Sequence, residues 1–534
     1  MSPGTEHDER VAANQQRLRA ELRASYDVVV CGAGSSGSVV ARRVAENPNV
    51  TVLLLEAGGD DVVPEVMDPA RWMENLGSER DWGFRARPSG AVGGRSIGMS
   101  MGKVLGGGSS INVAVWARGH RTDWDFFAEQ SGDPGWSYNA VLDVYRRVED
   151  WQGVADPQRR GSGGPVRVAP LPLRPLGEAT VATGSALGWP TYDSWNGAMM
   201  EGMTGFGNAD TIAQQDGRQS IYRDYVYPWA DRPNLTVMTG ALVTRVLVER
   251  GRAVGIEFLR QGKVTRAAAG SAVVLSLGAI NSPKLLMQSG IGDAGHLKAL
   301  GIRVVQNLPG VGANLQDHPL TLGGVWESPE PMAAVPVHQA GAYLATDPAL
   351  PGPNIQFSQY EGLLLGVTEA QVGAPPEHCW TVYSGLVRPA SRGRVRLTGA
   401  NPSDPLEIDG GYLSDPADVA ALVTAVDQFR DLAATAPLSG WVKREVFPQS
   451  TSRSELEQMF RSTASSFWHQ SGTNAMGRQQ TSVVDGRLAV YGLNGLYIAD
   501  ASVMPRITTG NTMAPCVVIG ERAADILRTD HHLA

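Results

Sequence analysis

The chain has 534 residues, 42% of them hydrophobic and 19% charged, with 46 Lys and Arg against 54 Asp and Glu for a formal net charge of −8. That apolar fraction excludes a disordered chain, the length allows two to four domains at roughly 150 residues each, and no basic block offers a nucleic-acid footprint. Cys31, Cys379 and Cys516 lie too far apart for a zinc or disulfide framework, and no apolar run approaches the ~18 residues of a membrane span. The expectation is therefore a cytoplasmic protein in a reducing compartment, with no metal and no membrane or nucleic-acid partner.

Residues 1–25 are polar, carry no apolar h-region of a secretory signal, and read as a helical extension without an obvious core face. From Tyr26 to Gly59 the chain reads strand, glycine turn, helix, strand: Val28 to Val30, then glycines, then an apolar-periodic stretch, then Val52 to Leu55 ending at Glu56. A loop-rich stretch with Trp72, Trp82 and Phe84 leads to a second glycine cluster between Gly102 and His120. Strand, turn and strand recur at 235–258, and a buried strand runs into a glycine and a helix at 271–292. From about 320 to 460 strands alternate with one helical region at 415–434, and the end returns to the opening style, with a strand before Asp500 and a helix over 513–527.

The resulting expectation is an α/β fold: a Rossmann-like nucleotide-binding domain assembled from discontinuous segments, with an α+β domain built on an antiparallel sheet inserted into it. The expected boundaries are a polar extension over 1–25, the nucleotide domain over 26–165, 205–320 and 465–534, and the inserted domain over 166–204 and 321–464.

Gly32-Ala33-Gly34-Ser35-Ser36-Gly37 fits G-x-G-x-x-G in the context the motif requires, after a strand and before a helix. Gly32 permits the tight turn, Gly34 lets a pyrophosphate approach the backbone, and Gly37 lets helix and strand pack closely, while the helix N-terminus offers free N–H groups. Glu56, 19 residues beyond Gly37, is placed to accept from ribose hydroxyls. Ser35, Ser36 and Ala57 complete the expected cradle. The motif alone leaves FAD and NAD both open.

The second cluster narrows this. Gly102-Lys103-Val104-Leu105-Gly106-Gly107-Gly108-Ser109-Ser110-Ile111-Asn112, with Trp116, Gly119 and Asp125, resembles the first signature of the glucose–methanol–choline (GMC) flavoprotein oxidoreductases. Gly278 to Leu286, ending Ser289 to Gly292, resembles the second signature, and Ser466 to Thr473 followed by Asn511-Thr512 resembles the family's C-terminal pair. The resemblance runs from about residue 26 to the end and implies FAD. It implies FAD contacts at Val104, Gly107, Ser109, Asn112, Val113, Ala114, Val243, Trp468, Asp500, Ala501, Asn511 and Thr512. Where some related oxidases tether the flavin through a histidine, this chain has Ile111, so noncovalent FAD is expected.

Of nine histidines, His469 lies among small and apolar residues and matches the family's catalytic histidine. An imidazole there can take the hydroxyl proton of an alcohol while the carbinol carbon gives hydride to flavin N5, and the deprotonated oxygen makes that C–H bond a better donor. Asn511 matches the second catalytic position, where an amide can hold the alkoxide without competing for its proton.

The resemblance implies oxidation of a small-molecule alcohol. Trp468 beside His469, with Asn511 as partner, resembles the hydroxymethylfurfural and aryl-alcohol branch, and a flat wall suits a planar primary alcohol. Tyr360 and Glu361 are further candidates to line the pocket. Choline is disfavoured, with Ala340 aligned to the glutamate that choline-oxidising members use. Oxygen, giving hydrogen peroxide, is the expected acceptor, with a quinone-type carrier as the alternative; a non-redox hydroxynitrile lyase is a remote third.

Overall fold

The valine run ahead of the first glycine cluster forms the strand Ser25–Cys31, buried on both faces as its unbroken apolar sequence requires. In the computed structural model, which describes residues 6–214, 217–332, 337–363, 372–373 and 376–533, this strand pairs in parallel with Val52–Leu55 on one side and Lys263–Leu275 on the other. Leu235–Met238 and Leu496–Ile498 extend the parallel set, and the 263–275 strand carries an antiparallel meander through Arg252–Arg260 to Leu242–Glu249. Seven strands from the start, middle and end of the chain thus make one sheet.

A second sheet of eight strands is antiparallel except at one edge, in the order 444–447, 319–327, 379–386, 355–361, 337–344, 205–207 and 191–192, with 465–466 beside 319–327. Its strands alternate faces. Phe357 points outward and meets Phe429 of the helix Pro416–Ala434 at 5.4 Å, whereas Ser358 and Tyr360 face inward to a cavity shared with the first sheet. Gly205–Gly207, at the start of a segment expected with the nucleotide domain, pairs into this second sheet.

The N-terminal helix Glu6–Ala20 differs from expectation in having a docked face. Val11, Gln15 and Leu18 are buried, and Gln15 Nε2 donates to the Ala230 and Leu235 carbonyls at 2.7 and 2.8 Å. With only two apolar residues in that face the helical period is faint, and the amide does part of the anchoring.

Beside the cavity a buried polar cluster ties the segments together. Glu149 accepts from Trp116 Nε1 and Arg118 Nε at 2.6 Å each and meets Arg160 Nε at 3.2 Å, and Arg160 also donates to Asp210 at 3.0 Å. Burial alone would raise the Glu149 carboxyl, but Arg118 and Arg160 outweigh it and hold it below the usual range. Glu149→Gln keeps the shape and removes the charge facing two buried guanidiniums. The expected cost is about 3–5 kcal/mol of stability, seen as a lower denaturant midpoint; a midpoint equal to wild type would show that the cluster does not depend on that charge.

Candidate active site

At the carboxyl ends of the parallel strands lies a cavity of about 920 Å³, walled on its far side by the second sheet. The helix Ser35–Val44 begins at its edge with no side-chain cap, so its first N–H groups remain available to an anion. Glycine is required at this edge by contact. Gly107 has φ +53, and a Cβ there would come within 2.8 Å of Gly34 Cα; a Cβ on Gly37 would come within 1.9 Å of the Gly32 carbonyl. The two glycine clusters thus pack backbone on backbone.

Of the expected cofactor residues, Gly32, Gly34, Ser35, Ser36, Glu56, Ala57, Gly107, Ser109, Asn112, Val113, Val243, Trp468, Asp500, Ala501, Asn511 and Thr512 line this cavity. Gly37, Val104 and Ala114 do not. Gly37 is spent on helix–strand packing, Val104 is fully buried beside Gly59, and the Ala114 carbonyl takes the Ile212 N–H. Glu56 accepts from the Ala33 and Gly58 N–H groups at 3.1 and 2.9 Å, and burial raises its carboxyl to about 7. A carboxyl group retains further lone pairs for ribose hydroxyls. Asp500 serves structure as well: it takes Gly278 N–H, Ser282 Oγ–H and Ser502 N–H, joining the 278–282 helix start to its own 500–502 turn at the cavity wall.

His469 stands at the junction of the cavity with the second sheet. Its backbone N–H donates to Asp317 Oδ1 at 2.8 Å, and Asp317 also accepts from Ser466, Gln470 and Tyr412, so a buried carboxyl fixes the whole 466–470 turn. Burial raises Asp317 to about 6 against these donors. Within the turn Trp468 takes φ +59, a region that costs a bulky residue about 1–2 kcal/mol. Its N–H donates to Ser466 Oγ at 2.8 Å, and its ring meets Trp72 edge-on at 5.9 Å.

Asn511 Nδ2 lies 3.1 Å from His469 Nε2, and Gln356 Nε2 lies 3.4 Å from Asn511 Oδ1. With Gln356 donating to Asn511 Oδ1, the amide turns its NH₂ to the imidazole, so that Nε2 accepts from Asn511 and the ring proton sits on Nδ1. That Nδ1 is 2.9 Å from Nδ1 of His318. Burial, and then the neighbouring His318 ring, keep His469 well below an ordinary imidazole, and burial holds His318 at about 3. Both rings are neutral at pH 7. Sequence reasoning missed His318, Asp317 and Gln356; Asp317 and His318 stand 151–152 residues from His469, and no local pattern marks such a pairing.

Tyr360 lines the cavity, but Glu361 does not: the next residue of the strand points to the other face, where Arg174 Nε meets it at 3.3 Å. Ala340 is also absent from the wall. The wall toward the second sheet instead carries Leu320, His338, Ser358, Tyr383 and Phe467.

A dinucleotide cradle at the strand ends, opening onto a buried neutral imidazole and an amide, defines a nucleotide-cofactor redox enzyme. Two family models described as GMC oxidoreductase match residues 26–320 and 389–520, and the chain belongs to that family. It is 35% identical to the oxygen-dependent choline dehydrogenase of Escherichia coli O127:H6 over 94% of this chain and 95% of that protein. It is likewise 35% identical to the oxygen-dependent choline dehydrogenase of Burkholderia vietnamiensis, over 95% and 94%. Among solved structures, pyridoxine 4-oxidase from Mesorbium loti superposes with a TM-score of 0.87 at 29% identity, covering 95% of this chain and 99% of that one. The protein is an FAD-dependent oxidoreductase acting on CH–OH donors. Among the described residues no helix is long and apolar enough to cross a membrane, and no group of three or more His, Cys, Asp and Glu could hold a metal.

Two outcomes follow. Gly107→Ala, which forces a Cβ against Gly34 at a positive φ, yields a folded protein with sharply reduced FAD content by absorbance. Burial and the His318 ring depress the His469 pKa, so a reaction in which His469 takes the substrate proton, as proposed below, runs on the neutral imidazole. The rate of anaerobic flavin reduction therefore stays flat as pH falls through 6.5 and drops only well below it; an acid limb at or above 6.5 would contradict this electrostatic reading.

Proposed function

We propose that this protein oxidises a primary, aromatic alcohol to the aldehyde, with His469 as the base, Asn511 as its partner, FAD held noncovalently and O₂ as acceptor. The observation that carries the proposal is the pair of contacts at His469 Nε2 and Asn511 Nδ2, 3.1 Å apart on the cavity wall. An alcohol hydroxyl that replaces this contact gives its proton to the Nε2 lone pair and accepts from the amide as negative charge grows on its oxygen. His318 takes the Nδ1 proton of His469 into its hydrogen bond and so keeps the lone pair on Nε2. FAD, when bound, accepts the hydride from the carbinol carbon and passes two electrons to O₂, so that RCH₂OH and O₂ become RCHO and H₂O₂.

Gly32, Gly34, Ser35, Ser36, Glu56, Ala57, Gly107, Ser109, Asn112, Val113, Val243, Asp500, Ala501 and Thr512 are placed to hold the cofactor. The aliphatic Ile111 on the same wall offers no nucleophile for a covalent link. The names of the relatives, oxygen-dependent dehydrogenases and an oxidase, support O₂ as acceptor. They do not carry choline over. Among the described residues the carboxyl groups on the cavity wall are Glu56 and Asp500, both engaged at the nucleotide end, and the described wall toward the second sheet carries no charged side chain.

The test is anaerobic mixing with a panel of benzylic, aliphatic and quaternary-ammonium alcohols, followed by admission of air and peroxide detection. Benzylic alcohols are expected to bleach the flavin fastest, with peroxide formed on reoxidation. His469→Ala should retain FAD and lose at least ~10²-fold in flavin reduction. Wild-type rates in that variant would remove His469 from the role, choline as the fastest reductant would overturn the substrate class, and yellow colour in an acid precipitate would overturn noncovalent binding.

A further inference from the structure

On the second sheet, His338 stands opposite Tyr360 in the ladder between the strands Val337–Leu344 and Ile355–Glu361, on the face that walls the cavity. Its ring lies between Tyr360 at 5.2 Å and Trp195 at 5.7 Å, both nearly edge-on. Both ring nitrogens are buried, and neither has a hydrogen-bond partner among the described residues. A buried polar group left unpaired costs about 1–3 kcal/mol, so an imidazole held there without a partner is paired with something that arrives. Burial holds the ring at about 4, uncharged at neutral pH, with one nitrogen donating and the other accepting.

Its distance from the chemistry can be read along one strand. Gln356, which touches Asn511, and Tyr360, which opposes His338, lie on the same face of the 355–361 strand. Four residues at about 3.3 Å each separate the two levels by roughly 13 Å. Between them the wall offers Ser358 and, from the neighbouring strand, Tyr383.

Building on the aromatic-alcohol reading above, we propose that His338 is a specificity residue, hydrogen-bonding an uncharged polar substituent carried on the order of 10 Å from the carbinol of an extended aromatic substrate. The substrate class is then an aromatic primary alcohol with a distal hydroxyl, carbonyl or amide group. A single apolar ring leaves the His338 nitrogens unpaired, and a site built to pair a polar group discriminates against analogues that lack it.

The probes are 6-(hydroxymethyl)-2-naphthol and 2-naphthalenemethanol, which differ only in the distal hydroxyl, compared by kcat/KM and by anaerobic flavin reduction on the FAD-loaded enzyme. Wild type is expected to favour the hydroxylated alcohol by about tenfold, the equivalent of one hydrogen bond. His338→Phe should bring that ratio to about one, and His338→Gln, which keeps a donor and an acceptor, should retain most of it; FAD absorbance and circular dichroism report folding in each. A wild-type ratio near one overturns the proposal without any variant, as does an unchanged ratio in His338→Phe. Oxidation of both naphthyl alcohols without preference fails this proposal alone, whereas no bleaching by either fails the aromatic-alcohol reading and this one with it.

Discussion

The proposed chemistry depends on keeping one imidazole uncharged. His469 is buried with no carboxylate against its ring; its Nδ1 faces another neutral ring, that of His318. A carboxylate there would favour the imidazolium and weaken the base before any substrate arrived. The carboxyl beneath the turn, Asp317, faces the backbone N–H of His469 and the Ser466 hydroxyl. It orients the turn and leaves the imidazole ring to His318 and Asn511. Orientation and basicity are thus supplied by different groups.

The cofactor side rests on a steric constraint of a different kind. Gly34 and Gly107 belong to distant segments, yet their backbones approach so closely that a single methyl group would part them. Contact of main chain with main chain leaves N–H groups and a helix N-terminus facing a shared space, which suits an anionic dinucleotide better than charged side chains would. Asp500 fixes the far rim by gathering N–H and hydroxyl donors from segments more than two hundred residues apart in the chain. The cradle is therefore an assembly of the first, middle and last parts of the sequence.

On the substrate side the second sheet sets what can enter. Its alternation sends Phe357 to the Phe429 helix and Ser358 and Tyr360 to the cavity, so one strand both seals the outer core and lines the pocket. The pocket wall it makes is neutral and aromatic, with hydrogen-bonding groups at separate levels.

The residues themselves determined the nucleotide motif, its strand and helix, Glu56, the second glycine cluster and the pairing of His469 with Asn511, because each depends on local spacing or on a short signature. The helical region at 415–434 was equally legible, and the structure begins it with Asp415 as its cap. Only the tertiary structure decided that Tyr360 faces the cavity while Glu361 turns to Arg174, since a strand's period of two fixes alternation but not which face is inside. Only it brought Asp317, His318, Gln356 and His338 to the same cavity and its base. Their partners lie far away in sequence, and the contact that gives each its role forms through packing of the two sheets and leaves no periodic trace in the chain.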